Sequence, residues 1–311
     1  MDTLDIGILR EFIADVPNRC LQPDVKKSYV AIAKKLGTTE DTVRNRVDWM
    51  YEKGILRGWR LGVNPTLFGY QTDFFFFDNA SRREKDEVLK KLKAISGVLW
   101  IVDYLGNFAG VLISSKDEET LERKISPVSH VFTSKAFVRV TNQFPLVKSE
   151  LTITDWNVIR SLMKDPRKSY AEVAEELKIS SRMARRRLQS MIEERTFFIF
   201  PDLDVKKVEG GIVVTFAIFY SDARAKQEAE QSILSKYWDY FLLALPPERA
   251  YGAYNFILPN LPVAEELLEY ANGLKGVRNA SMRPIIDFIN LLDRAFEVEM
   301  QQKTTMSQSV E

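Results

Sequence analysis

The chain has 311 residues, of which 45% are hydrophobic and 28% charged, an ordinary globular composition that excludes disorder or a collagen-like repeat as its main structure. At roughly 100–200 residues per domain, this length predicts about two domains, or more if they are small. Lys and Arg total 44 against 43 Asp and Glu, so the net charge of +1 excludes a uniformly basic surface but permits a local basic patch.

Several classes of protein are made improbable by what the sequence lacks. The chain has one cysteine, Cys20, and one histidine, His130, so an intrachain disulfide or a metal site with several Cys or His ligands cannot form. The N-terminus has no basic segment before an apolar core, and no apolar run approaches about 18 residues, so neither a signal peptide nor a membrane helix is predicted. Phosphate-binding and dinucleotide fingerprints are absent, so we predict a cytoplasmic protein without cofactor, metal or membrane contact.

The most informative feature is an internal repeat. Residues 26–50 and 167–191 align at a single offset. The identical positions are Lys27/Lys168, Ser28/Ser169, Tyr29/Tyr170, Ala33/Ala174, Leu36/Leu177, Arg44/Arg185, Arg46/Arg187 and Met50/Met191. Residues 4–12 also match residues 154–162 at a slightly larger offset, so the first copy has an insertion around residues 16–24, which its prolines predict to be a loop.

Each copy is predicted to form three short helices, the last two as a helix-turn-helix. Gly37 separates the second and third helices of the first copy, and Thr38 or Thr39 is expected to cap the third. Ser180 or Ser181 is the corresponding cap of the second copy. A two-stranded wing is expected after each unit, with turns at Gly58 and Gly62 in the first and at Pro201–Asp202 in the second.

Residues 70–140 and 211–283 each follow the order βαββαβ, which is that of a ferredoxin-like domain. Residues 287–300 are predicted to form an added helix. The fold class is therefore α+β, with tandem winged helix-turn-helix and ferredoxin-like domains. The predicted domains are residues 1–66 and 151–206 for the winged units, 67–150 and 207–300 for the ferredoxin-like units, and 301–311 for a flexible tail.

The third helix of each unit carries the candidate functional residues, because this helix of a helix-turn-helix enters the major groove of DNA. Arginine suits the task, since its planar fork binds guanine edges or phosphates with two hydrogen bonds. The predicted DNA contacts are Ser181, Arg182, Arg185, Arg186, Arg187 and Gln189 in the second unit, and Thr39, Thr42, Arg44, Asn45, Arg46, Arg57 and Arg60 in the first. Glu40 and Asp41 repel phosphate, so we expect weaker binding by the first unit. The alternatives are a solvated basic face and a protein-docking module.

The residues from Thr39 through Arg46 and Met50 to Gly54, then Arg57–Gly58–Trp59 and Asn64–Pro65 to Gly69, resemble the Lrp/AsnC family of prokaryotic transcription regulators. The resemblance implies binding of double-stranded DNA, dimers or larger assemblies formed through the sheet domain, and often an amino-acid effector. Most members have one module and this chain has two. Gly106 and Gly252 match the glycine of the family's effector loop, without its acidic residues, and together with Asn107 they form a weak candidate site for an effector of unknown identity.

Two other functions remain open. Siroheme decarboxylases share this plan and include two-module fusions, but the segments that correspond to their histidine-containing region have no histidine here. A DNA-independent small-molecule sensor is the other alternative.

Assembly is also open, because the apolar sheet faces could pair within one chain or between two. Phe74, Phe76, Leu99 and Ile101 alternate as one such face, and Val214, Phe216 and Ile218 as the other. We favour a homodimer formed through the ferredoxin-like sheets.

Overall fold

The computed structural model describes residues 1–15, 20–21, 27–132, 138–142, 144–244 and 250–305. The first helix-turn-helix unit consists of α1 (Thr3–Ile13), the short strands β1 (Ala14–Asp15) and β2 (Cys20–Leu21), α2 (Tyr29–Leu36), α3 (Glu40–Glu52) and β3 (Leu56–Val63). β1 and β2 pair inside the region predicted as a loop, and the rest of residues 16–24 lies outside the described residues. The first sheet unit follows, with β4 (Gln71–Asp78), α4 (Arg82–Leu92), β5 (Val98–Tyr104), β6 (Phe108–Ser115), α5 (Glu118–Ile125), α6 (Ser129–Phe132) and β7 (Val138–Asn142).

The second half repeats this order. Its helix-turn-helix unit consists of α7 (Ile153–Lys164), α8 (Tyr170–Leu177), α9 (Ser181–Glu193) and β8 (Phe197–Leu203). Its sheet unit consists of β9 (Ile212–Tyr220), α10 (Ala223–Tyr237), β10 (Phe241–Ala244), β11 (Tyr251–Leu258), α11 (Leu261–Gly273) and β12 (Val277–Asn290), and α12 (Glu297–Thr305) follows. The predicted α+β class and the two βαββαβ units are confirmed.

The two sheet units join into one antiparallel eight-stranded sheet in the order β10-β11-β9-β12-β5-β6-β4-β7. The joint is β12, which pairs with β9 up to Pro284 and then with β5 from Ile285 to Asn290. The helix predicted from residue 287 is therefore wrong at its start, because the free edge of β5 offers backbone partners that outweigh local propensity. α12 extends through Thr305 into the predicted tail, and residues 306–311 lie outside the described residues.

The inner faces of the two sheet units pack against each other within the chain. The rings of Phe76 and Tyr251, from opposite halves, lie 6.2 Å apart, and the Arg283 guanidinium lies 5.7 Å from the Phe76 ring. Phe74, Phe76 and Leu99 lie on this inner side, as predicted. Ile101 lies under the outer helices instead, because a register shift between Val98 and Trp100 changes the alternation.

The predicted inner face of the second sheet unit is wrong. Val214, Phe216 and Ile218 pack beneath α10 and α11, and the neighbouring Val213 and Ala217 face inward. Alternation identified the two faces of β9 but could not tell which one the helices cover.

The predicted wings are also wrong, because neither unit forms a two-stranded wing of its own. β3 from the first unit pairs antiparallel with β8 from the second, with Trp59 opposite Pro201 and Gly62 opposite Phe198. Pro201 lies inside a strand rather than at a turn. A two-stranded sheet consists of edge strands only, where a residue without a backbone N–H is tolerated. We call this pair of strands the β3–β8 ribbon; it connects the two helix-turn-helix units.

Candidate nucleic-acid interface

Matching local signals build the helix-turn-helix corner in both units. Thr39 caps α3 by accepting a hydrogen bond from the backbone N–H of Thr42 (3.2 Å), and Ser180 caps α9 by accepting one from Met183 (3.2 Å). The helix before each cap ends in the left-handed region, at Gly37 with φ 66° and at Lys178 with φ 54°. Glycine adopts this conformation freely, whereas lysine there is uncommon. Each third helix therefore begins at the expected place and presents its first two turns outward.

The outer face of α9 has three unpaired arginines. Arg182, Arg185 and Arg186 are exposed, and none of them makes an ion pair or hydrogen bond to another described residue. Helix α9 contains four arginines and a single acidic residue, the Glu193 at its end. Its opposite side buries Ala184, Leu188 and Met191. The result is a fixed helix with free guanidinium groups at the spacing of one face.

Arg187 and its counterpart in the first unit, Arg46, have a different role. Nη1 of Arg187 donates to Asp155 Oδ1 and to Thr152 Oγ1, both at 2.9 Å, and so ties α9 to the start of α7. Nη1 of Arg46 lies 2.8 Å from Asp2 Oδ2 and 3.3 Å from Asp5 Oδ1. Both predicted DNA contacts are therefore held inside their own unit, where they set the position of the third helix.

The outer face of α3 carries charges of both signs. Arg44 pairs with Glu40 at 2.6 Å, and its guanidinium lies 5.4 Å from the Tyr29 ring. Thr39 and Thr42 hydroxyls hydrogen-bond to each other at 2.8 Å. Asn45 is exposed, as are the acidic Asp41 and Asp48. Helix α3 has two arginines against four acidic residues, so its field at a phosphate is unfavourable.

Arg57 and Arg60 point toward carboxylates of the partner strand and its surroundings. Because β3 and β8 lie side by side, Asp202 forms ion pairs with both arginines. Its Oδ1 lies 2.9 Å from Arg57 Nη2, and its Oδ2 lies 3.0 Å from Arg60 Nη2. Arg60 also reaches Asp293 at 2.6 Å, and Arg57 reaches Asp204 at 3.7 Å. These two arginines were predicted as wing contacts to DNA, and the structure places them in ion pairs that join the two halves of the chain.

The remaining predicted contacts, Ser181 and Gln189, lie on the outer side of α9. Both are exposed, and Gln189 Nε2 donates to Glu193 Oε1 at 3.0 Å. One exposed residue on this side of α9, Met183, was not predicted from the sequence. It is equivalent to Thr42 in the first unit. Its side chain is 37% exposed at the start of α9, next to the free arginines. The signal was its place in the helical repeat, one residue before the buried Ala184.

The predicted effector residues make contacts within the fold. Asn107 contributes its carbonyl oxygen to the side chain of Asn79 (2.7 Å), and the carbonyl oxygen of Gly106 accepts from buried Lys85. Gly252 lies inside β11 opposite Ile218, where a Cβ would come within 2.1 Å of the Tyr254 hydroxyl. Gly252 therefore serves close packing in the sheet, and Gly106 and Asn107 use their backbone groups within the fold.

Comparison with known proteins gives matches to the second helix-turn-helix unit, to somewhat less than half of the chain, and to the whole fold. A model of winged helix-turn-helix DNA-binding domains matches residues 151–195. The HTH-type transcriptional regulator Ptr1 of Methanocaldococcus jannaschii is 31% identical over 136 residues, which is 42% of this chain and 86% of that protein. Regulatory protein AsnC of Escherichia coli is 25% identical over 148 residues, which is 46% of this chain and 91% of that protein.

The solved structure of the siroheme decarboxylase NirDL, in complex with an iron-uroporphyrin III analogue, covers 98% of this chain and 99% of its own. Its TM-score is 0.56 and its sequence identity 15%, so the likeness is one of fold. The fold thus defines a protein with two helix-turn-helix units, joined by the β3–β8 ribbon and attached to paired ferredoxin-like sheets. With the similarity to Ptr1 and AsnC, the chain belongs to the Lrp/AsnC family of transcription regulators.

Among the described residues, no helix has the length and apolar character needed to cross a bilayer.

Proposed function

We propose that the chain regulates transcription by binding double-stranded DNA in a sequence-specific way, with α9 providing most of the affinity. The observation that carries this proposal is the set of free, exposed arginines Arg182, Arg185 and Arg186 on a helix that is otherwise fixed. Free guanidinium groups can bind phosphates or guanine edges without first breaking an ion pair. The polar Ser181 and Gln189 on the same face extend the proposed contact surface.

The first unit is proposed as the weaker partner. Arg44 must leave Glu40 before it can bind a phosphate, and Asp41 and Asp48 repel the DNA backbone. Asn45, Thr39 and Thr42 are the groups suited to polar contacts there. Because α3 and α9 differ in this way, the two units should recognise unlike half-sites.

We infer a monomer from the pairing of the two sheet units within the chain. The sheet faces and the edge of β5 that a homodimer could use are occupied by the other half of the same chain. One chain therefore presents two helix-turn-helix units, as a dimer of single-module relatives would. We expect light scattering at micromolar concentration to give the monomer mass of 35.9 kDa. A stable mass of twice that value would restore the homodimer favoured from sequence.

The proposed function is tested by selection from random duplexes. The full chain is incubated with a pool of randomised double-stranded oligonucleotides, and bound sequences are enriched over several rounds. We expect a defined motif, and an affinity for it about 10³-fold or more above that for random duplex at the same salt concentration. Equal affinity for the enriched and the random duplexes would contradict sequence-specific recognition.

A tetrapyrrole-processing enzyme is the second candidate, supported by the fold likeness over nearly the full length. Two observations oppose it. His130 lies on α6, on the outer helix side of the sheet, and its Nε2 lies 3.2 Å from Glu84 Oε1. The cavity between the sheet faces, lined by Phe74, Trp100 and Leu243 among others, has a volume of about 70 Å³. Sites for drug-sized ligands are typically about 300–1,000 Å³.

Titration of the protein with iron-uroporphyrin III separates these two functions. We expect no saturable change in the tetrapyrrole absorption spectrum. A stoichiometric spectral shift would favour the enzyme.

A further inference from the structure

One arginine of the second helix-turn-helix unit is inserted among aromatic rings of the first. Arg167 lies in the turn between α7 and α8. Its guanidinium carbon lies 5.6 Å from the Phe12 ring, 5.3 Å from the Tyr29 ring and 5.6 Å from the Trp59 ring. We call these three rings the aromatic box. They come from α1, from α2 and from β3, so a single side chain contacts three separate elements of the other unit.

The aromatic box is itself an ordered cluster. The rings of Phe12 and Trp59 meet edge to face at 5.0 Å, and those of Phe12 and Tyr29 at 6.2 Å. Phe12 is fully buried, and Arg167 is half-buried. A planar guanidinium is attracted to ring faces, and this attraction grows as water is excluded. Nη1 of Arg167 also lies 3.4 Å from the Tyr29 hydroxyl.

Both ends of the recognition helix α3 are connected to the box. Nε1 of Trp59 donates to the hydroxyl of Tyr51, at the C-terminal end of α3, over 2.8 Å. Near its N-terminal end, Arg44 stacks on the Tyr29 ring. Arg167 is therefore linked to the C-terminal end of α3 through Trp59 and to its N-terminal part through Tyr29.

On its own side, Arg167 is held by a stiff turn. Its backbone N–H donates to Asp165 Oδ1 at 2.9 Å. The adjacent Lys168 and the nearby Lys164 both pair with Glu176 on α8. The turn is thus fixed to α7 and α8, the two helices that precede α9, and the backbone of Arg167 keeps its place in the second unit.

We propose that Arg167 is a positioning residue that holds the two helix-turn-helix units in one preset arrangement, so that the protein tolerates a single separation of its two half-sites. The β3–β8 ribbon joins the two units along one pair of strands, so contacts away from that line are needed to oppose rotation about it. Arg167 adds attachments at α1 and α2, outside the ribbon, and so opposes rotation about it. The consequence for half-sites rests on the proposed DNA binding, whereas the docking of the two units does not.

The docking is tested without DNA by measuring a distance between the two recognition helices. Cys20 is replaced by Ser, and Glu52→Cys and Glu193→Cys introduce spin labels at equivalent, exposed positions at the ends of α3 and α9. Pulsed electron paramagnetic resonance of the full chain should give one narrow distribution of the distance between the two labels. Arg167→Ala and Arg167→Gln should each broaden it at least about twofold, and Arg167→Lys should restore part of the narrowness. The control Lys148→Ala removes an exposed positive charge at the start of the same half of the chain, outside the box and the turn, and should leave the distribution unchanged.

The half-site consequence is tested with the selected duplex and a version lengthened by five base pairs between the half-sites, which turns one of them by about half a helical turn. The unaltered chain should lose about tenfold or more in affinity on the longer duplex, and Arg167→Gln less than about threefold, because loosely joined units still bind both sites. A distance distribution as narrow in both Arg167→Ala and Arg167→Gln as in the unaltered chain would overturn the docking role. Equal penalties for the longer duplex would overturn the spacing role. If no duplex is selected at all, the proposed function fails while the distance measurement still decides the docking.

Discussion

Replacing Arg185 and Arg186 together with alanine is expected to weaken binding to the selected duplex more than replacing any pair of residues on α3. Both side chains are exposed and unpaired among the described residues, so their loss removes DNA contacts without removing contacts within the protein. If each reads a guanine, the loss is about 1–3 kcal/mol per residue and concentrated at particular base positions. If both contact phosphates, the loss of affinity is uniform over sequences. The slope of the logarithm of the binding constant against the logarithm of salt concentration then becomes shallower by roughly 0.9 per lost contact.

The chain offers a matched control for this substitution. Arg83 on α4 and Arg224 on α10 are exposed arginines at equivalent positions of the two sheet units, each paired to a glutamate one turn later. Arg83→Ala with Arg224→Ala changes the net charge by the same amount far from α9. Anisotropy titrations at several salt concentrations should show near-normal affinity for the control. Unchanged affinity of a folded Arg185→Ala, Arg186→Ala protein would exclude α9 as the DNA-reading element.

The second large effect is expected in stability, from Trp100→Ala. Trp100 is 2% exposed where the first sheet unit, the β3–β8 ribbon and the extension of β12 meet. Its ring lies 5.5 Å from that of Phe200, 6.1 Å from that of Phe288 and 6.4 Å from that of Phe198, all in the second half of the chain. Truncating a buried tryptophan to alanine leaves a cavity and costs about 3–5 kcal/mol of unfolding free energy.

Urea unfolding followed by circular dichroism measures this cost. Trp100→Phe keeps a ring in the same place and leaves a smaller cavity, so it should cost less than Trp100→Ala. Since Nε1 of Trp100 has no hydrogen-bond partner among the described residues, the phenylalanine variant loses volume and no hydrogen bond. A loss below about 1 kcal/mol for Trp100→Ala would mean that the two halves do not depend on this packing.

Local signals made the helix-turn-helix units predictable. Helix caps such as Thr39 and Ser180, the turn at Gly37 and the repeated apolar positions all act within a few residues. The repeat then doubled the evidence, because each unit supported the interpretation of the other. The order of strands and helices in the sheet units was predictable for the same reason, since alternation and helical periodicity are short-range patterns.

Pairing between distant segments was not predictable. The end of β12 looked helical because its partner β5 is remote in the sequence, and β3 looked like half of a hairpin because its partner β8 belongs to the other repeat. The ion pairs of three predicted DNA-binding arginines were not predictable for the same reason. Arg57 and Arg60 face Asp202 across the repeat, and Arg46 faces acidic residues at the start of α1. The motif alone therefore does not show whether a basic residue is free or is paired with a carboxylate of the fold.

Substitutions at equivalent positions of α3 and α9 test whether the two helices recognise different half-sites. Arg44 and Asn45 on α3 correspond to Arg185 and Arg186 on α9. Each pair is replaced by alanine in the full chain, and both proteins are footprinted with hydroxyl radicals on the selected duplex and titrated with it. We expect the α9 variant to lose at least about tenfold more affinity, and protection to disappear at one half-site only, a different half-site for each variant. Equal losses of affinity, with loss of protection at the same bases, would mean that the two helices are equivalent and do not recognise unlike half-sites.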